Sequence, residues 1–125
     1  MNFLRVQRLL FLLALTGCST VKTSYNGTID DVSCENIAGW AMDWSREAQS
    51  IDIRIFDEGG LVKLKAPASI PRGDFRPGAQ NHGFSVPTPV ALKDGKNHFV
   101  HVAFEDSYLE LRHSPRPLNC QREMP

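Results

Sequence analysis

The side chains in this chain that carry chemistry are four histidines, three cysteines and a scatter of carboxylates. His98 and His101 lie three apart in a stretch that reads as a strand, so they point to opposite faces and cannot share a metal. His82 and His98 flank the same Pro-rich stretch and can meet, yet zinc needs three or four ligands and no acidic partner stands out beside them. Two distant cysteines with no C-x-x-C add nothing to a zinc set. Ser85 and Ser107 lack the glycines of a nucleophile elbow, and Asp43, Glu47 and Asp74 show no spacing that makes a glycosidase pair. No catalytic residue, metal site or cofactor is therefore expected, and the histidines are read as buried or capping groups. The residues left for contact with a ligand are Trp44, at the end of a strand, Tyr108, and Arg76 in the polar loop running to Asn81.

Before any of these comes Leu15-Thr16-Gly17-Cys18. Met1 to Arg8 carries Arg5 and Arg8 with no acid, and Leu9 to Leu15 is an apolar run, the order of a secretory leader. That run is too short to cross a bilayer, which takes roughly 20 residues. The four residues resemble the lipobox of bacterial lipoproteins. The resemblance implies a leader over 1–17, a diacylglycerol on the Cys18 thiol, and a further acyl chain such as palmitate on the new amino terminus. Two or more chains anchor stably where one does not. Ser19, where an Asp would resemble an inner-membrane retention signal, implies an outer-membrane lipoprotein facing the periplasm or the cell surface. With Cys18 lipidated, Cys34 and Cys120 remain, and in an oxidising compartment these two are expected to pair.

Removing residues 1–17 from 125 leaves 108, enough for one domain. The leader takes two of the fourteen basic residues and none of the fourteen acids, leaving a formal charge of −2. No basic face points to nucleic acid and no polybasic patch to lipid headgroups, so the membrane is reached through the lipid alone.

Ser19 to Ser24 is polar and aperiodic, so 18–24 is read as a lipidated tether. The chain then offers strands and no convincing helix. Tyr25 to Val32 is a weak edge strand, and Cys34 to Met42 alternates Ile37, Gly39 and Ala41 against Ala38, Trp40 and Met42. Ile51 to Asp57 alternates three isoleucines with polar positions, the mark of a half-buried strand. Glu58-Gly59-Gly60 turns it into Leu61 to Ala66, with Val62, Leu64 and Ala66 inward and Lys63 and Lys65 outward. Pro67 to Gly78 is read as one long irregular connection. Strands resume at Gly83 to Val86, at His98 to Phe104 after a Lys93–Lys96 turn, and at Tyr108 to Arg112, where Leu109 and Leu111 share a side. Ser114-Pro115-Arg116-Pro117 leads to Cys120, and 121–125 is a tail. Seven to eight short strands, each with one apolar face, predict an all-β antiparallel sandwich over 25–120, with an up-and-down barrel as the alternative.

Gly27-x-Ile29-Asp30, Gly39-Trp40-Ala41-x-Asp43, Arg72-x-Asp74, His82-Gly83-Phe84, Leu92-Lys93-Asp94-Gly95-Lys96-x-His98 and Ser114-Pro115-x-x-Pro117-Leu118-x-Cys120 follow in one order. That order resembles small Ig-like β-sandwich modules of exported bacterial proteins, some attached to glycosyltransferases and sulfotransferases. The resemblance covers nearly all of 25–120 and implies the fold, but no ligand or activity. It gives Trp40, Asp43, Arg72, Asp74, His82, Phe84 and His98 structural roles. Trp40 resembles the tryptophan that packs on the immunoglobulin disulfide. Arg72-Gly73-Asp74 matches the tripeptide adhesion receptors recognise, yet an Arg and an Asp two apart also tie down a loop, and the internal role is expected. Functionally the chain reads as a lipid-anchored, non-catalytic envelope module holding an unknown envelope protein. The alternative is a carbohydrate or cell-wall binder using Trp44, Tyr108 and Arg76, and an envelope enzyme comes third.

Overall fold

A computed structural model describes residues 24–105 and 107–122 of the chain. The leader expected over 1–17, the lipid site at Cys18 and the end of the tail lie outside the described residues. Eight strands form: β1 (Tyr25–Val32), β2 (Asn36–Asp43), β3 (Ile51–Asp57), β4 (Lys63–Ala68), β5 (Ile70–Pro71), β6 (Asn81–Pro87), β7 (Asn97–Phe104) and β8 (Arg116–Asn119). They make two four-stranded antiparallel sheets, ordered β1-β2-β6-β5 and β4-β3-β7-β8. Lettered along the chain these are the A-B-E-D sheet and the C-F-G sheet with one extra strand beside C, the immunoglobulin-like arrangement of a β-sandwich. No α-helix occurs among the described residues, only 3₁₀ turns at Trp44–Arg46 and Val90–Leu92.

The alternation of β3 sets the core. Ile53 and Ile55 are fully buried, paired across to Phe104 and Val102 of β7, and they face Ile29, Ile37, Ala41 and Phe84 of the other sheet. Each such side chain stabilises the fold by about 2 kcal/mol through the water it leaves behind. Gly39 lets the first sheet close. It pairs with Ile29 on one side and Phe84 on the other, and a Cβ there would run into the Thr28 carbonyl and sit 2.9 Å from the Phe84 ring.

Cys34, between β1 and β2, is joined to Cys120, just past β8, with their Cα atoms 5.6 Å apart and a sequence separation of 86. The bridge ties the end of the first hairpin to the end of the domain.

Three expectations need correcting. Pro67 to Gly78 is not all irregular: Pro67 and Ala68 finish β4, and Ile70–Pro71 is a short strand beside β6. Both prolines are tolerated because β4 and β5 are edge strands, where a missing N–H leaves no ladder bond unmade. Tyr108 to Arg112 is not a strand. It makes only isolated bridges, Glu110 to Ala103 and Arg112 to Thr28, and Leu111 is buried while Leu109 is exposed. Trp40 does not pack on the disulfide. The alternation that turns Ile37, Gly39 and Ala41 inward leaves Trp40 outside, half-buried and edge-on to Phe75 at 5.0 Å.

Gly39→Ala is expected to cost about 3 kcal/mol, at the upper end of overpacking. Gly73→Ala, with nothing within 4 Å of the added methyl, should stay within about 0.5 kcal/mol. Urea unfolding of the two variants checks the difference. Replacing both Cys34 and Cys120 with Ser should lower stability by about 4 kcal/mol, the entropy of opening so long a loop.

Candidate functional site

The titratable side chains first find work inside the fold. Asp43, at the end of β2, is buried and accepts from the Ser24 hydroxyl, the Ser45 amide (3.0 Å), the Ser45 hydroxyl (2.7 Å) and Arg46 Nε (3.0 Å). It caps the 3₁₀ turn that follows, and through Ser24 it holds the residue just before β1. The Ser24 and Ser45 hydroxyls, followed by the Ser45 amide and Arg46, hold its carboxyl well below the ordinary carboxylate range despite burial.

His82, 1% exposed, donates from Nε2 to the Glu47 carbonyl at 2.7 Å, since a carbonyl only accepts. Its Nδ1 is buried without a partner among the described residues. His98 Nε2 lies 2.7 Å from Asp94, whose carboxyl this contact draws down. His82 and His98 thus do not meet: one sits at the Ser24 end of the sandwich, the other beside the Asp94–Lys96 turn at the opposite end. Acidic partners for histidines do exist, contrary to the sequence reading: Asp94 stands only four residues before His98, and those of His101 come from two separate segments. His101 places Nδ1 2.6 Å from Glu110 and Nε2 3.2 Å from Glu58. The two carboxylates lie on opposite edges of the ring. No group of three or more His, Cys, Asp or Glu among the described residues is placed to hold a metal ion.

Arg72 closes the outer face of the first sheet. Its Nε and one terminal nitrogen grip Asp74 at 3.0 and 2.7 Å, the other nitrogen reaches Asp30 at 2.7 Å, and the guanidinium lies over Phe75. Asp30 is the extra residue at a register shift in β1, which turns it toward Arg72. The Arg72 stem crosses Gly83, where a Cβ would lie 3.1 Å from it. Arg72 and Asp74 therefore pin the loop from 72 to 80, the internal role expected of them, and Asp74 raises the guanidinium above its ordinary value.

The expected ligand contacts do not converge. Trp44 opens the 3₁₀ turn at 48% exposure, and Arg76 is paired with Glu47 just beyond that turn. Tyr108 stands apart, 99% exposed, over the outer face of the second sheet. There it lines an open groove of about 390 Å³ with Arg54, Phe56, Asp57, Gly60, Val62 and Lys63. An adjoining hollow of about 250 Å³ shares Arg54 and Tyr108.

Strand alternation and hairpin register build this groove. With Ile53 and Ile55 inward, Arg54 and Phe56 must face out, and the β3–β4 register sets Lys63 opposite Phe56. Phe56 is sandwiched between the His101 ring, stacked at 4.9 Å, and the Arg54 guanidinium at 5.4 Å. Arg54 also donates to the Glu105 and Ser107 carbonyls at 3.4 Å, which holds it flat and ties the Tyr108 loop to β3. Arg54, Phe56 and Lys63 were missed as contacts. The signal available was that Phe56, a large apolar ring, falls on the polar side of the alternation.

Comparison with protein families, characterised proteins and solved structures finds no match for this chain.

Because the Asp43 carboxyl is depressed in the fold, its contribution is fully present above the unfolded titration near pH 4 and lost as pH falls through the folded one. Asp43→Asn should cost about 1 to 3 kcal/mol at pH 7. Its deficit relative to the native chain should shrink as pH drops below about 4, as measured by thermal or urea unfolding across that range.

Proposed function

We propose that this chain is a lipid-anchored, non-catalytic interaction module of the bacterial cell envelope, held in the outer membrane by acyl chains on Cys18. The observation that carries the binding part is the outer face of the second sheet, where Tyr108 stands free over a groove walled by Arg54, Phe56 and Lys63. An aromatic side chain so fully exposed gains nothing for the fold, whereas aromatic anchors are enriched where surfaces meet ligands. The opposite outer face is closed by its own Arg72 loop, which leaves this one open.

The non-catalytic part rests on how the polar groups are used. Asp43, His82, Arg72 and Asp74 fasten chain segments, and His98 and His101 take carboxylates from neighbouring turns. The anchor rests on the leader and the lipobox-like residues ending at Cys18. The Ser24 latch at Asp43 suits a domain that begins where a tether ends. A carbohydrate reading is favoured by the same groove, with Tyr108 and Phe56 in place of the Trp44, Tyr108 and Arg76 set.

Mass spectrometry of the chain extracted from its native membranes should show a start at Cys18 carrying a diacylglycerol, and an unmodified Cys18 rejects the anchor. Cross-linking in the native envelope should give an adduct with the full-length chain that Tyr108→Ala loses. An adduct indifferent to position 108 rejects this face.

A further inference from the structure

The groove beside Tyr108 has positive charge that no ion pair among the described residues neutralises. Elsewhere on the sandwich Arg46 is paired with Asp43, Lys65 with Asp52, Arg72 with Asp30 and Asp74, and Arg76 with Glu47, while Lys96, Arg112 and Arg116 make no ion pair with a described residue. Arg54 and Lys63 have no carboxylate within ion-pair distance among the described residues. Arg54 commits part of its N–H fork to the Glu105 and Ser107 carbonyls and leaves the rest free. The acids nearby are turned to other work. Asp57 is buried, accepting from the Gly59 and Val62 amides at 3.1 and 2.8 Å. Glu58 faces His101, and Glu105 lines the adjoining hollow beside Arg54 and Tyr108 without an ion pair to Arg54.

The cations are placed on either side of a ring. Arg54 is two residues along β3 from Phe56, about 7 Å at strand rise, and Lys63 sits directly across from Phe56 on β4. Tyr108 adds a second ring, free on both faces. A peptide is poorly served here. Strand addition along β4 meets Pro67, which offers no edge N–H, and the groove is open rather than a deep socket for an anchoring side chain. A sugar ring fits better, since its C–H face stacks on an aromatic ring while its substituents reach donors at the margin.

We propose that the groove formed by Arg54, Phe56, Lys63 and Tyr108 binds an acidic oligosaccharide, one whose sugar rings carry carboxylates. Tyr108 supplies the stacking platform, and Phe56, already covered by His101 and Arg54, forms a wall of the groove. The Arg54 fork and the Lys63 ammonium take carboxylates of different rings, the fork suited to bidentate pairing and the ammonium acting as a point charge. A single small anion would engage only one of these cations, whereas a chain with repeated carboxylates engages both. This inference rests on the reading of the second sheet's outer face as the binding face.

The test is calorimetric titration of the full-length chain in detergent with oligogalacturonate, set against a neutral galacto-oligosaccharide of the same length. Oligogalacturonate should bind at least about tenfold more tightly than the neutral chain, with affinity falling as salt is raised. Tyr108→Ala and Lys63→Gln, both exposed positions that the core does not use, should each weaken binding about tenfold with unchanged unfolding midpoints. Equal affinity for the neutral chain overturns the acidic requirement. Binding unaffected by both substitutions overturns the site. If oligogalacturonate does not bind while the Tyr108-dependent envelope adduct persists, the acidic sugar is wrong and the face is right. A peptide component in that adduct then names the competing class. Loss of both signals removes the face as well.

Discussion

Burial of one side of β3 and β7 is the constraint on which the rest of the structure depends. Ile53 and Ile55 against Val102 and Phe104 form the middle of the sandwich, and they leave water only if every second residue of both strands turns away from it. The outward set is thereby forced: Arg54 and Phe56 from β3, Phe99 and His101 from β7. A slip of one residue would bring Arg54 into the core and expose the isoleucines. The same pairing that stabilises the fold therefore composes the candidate binding face.

The two outer faces of the sandwich are treated differently. The first sheet is roofed by its own chain: Arg72 clamps Asp30 and Asp74, Phe75 lies beside Trp40, and Gly83 is bare so that the Arg72 stem can pass. Among the described residues the second sheet has no such roof over Arg54, Phe56 and Lys63, only the Tyr108 loop at its margin. The ends differ as well. At one, Asp43 grips Ser24 where the chain enters, and at the other the Cys34–Cys120 bridge closes the hairpin against the last strand. With the first sheet roofed by its own loop, the outer face of the second sheet is left open among the described residues.

What could be read from the sequence was whatever depended on neighbours along the chain. Strict alternation marked β3, and the two-glycine turn joined it to β4. The β-sandwich class followed from strand number, and the odd cysteine count led to the Cys34–Cys120 pair. Misreadings arose where a distant residue decided the outcome. The segment from Tyr108 to Arg112 has strand-like composition, but its partners are two single bridges to different strands, so no ladder forms. Trp40 carries the right spacing from Cys34 for the immunoglobulin arrangement, but it lies on the second strand, not the third, and faces Phe75 instead of the core. The acids beside His101 come from positions 58 and 110, a pairing no local spacing reveals. The face was half legible: Tyr108 was picked out for its type, while Arg54 and Lys63 are ordinary surface cations until the register sets them on either side of Phe56.

The geometry of anchoring bears on how such a face would be used. Seven residues from Cys18 to Ser24 span at most about 25 Å when extended, so a lipid on Cys18 keeps the Ser24 end of the sandwich close to the bilayer. β3 begins at that end, and the groove follows it from the Ser107–Tyr108 loop to the Gly60 turn at the far end. A polymer lying in the groove would therefore run along the strands, away from the membrane. Its charged groups would meet Arg54 nearer the tether and Lys63 further out. If Cys18 carries the proposed lipid, anchor and groove would be aligned: the tether would set the distance from the bilayer, and β3 the direction in which a ligand leaves it.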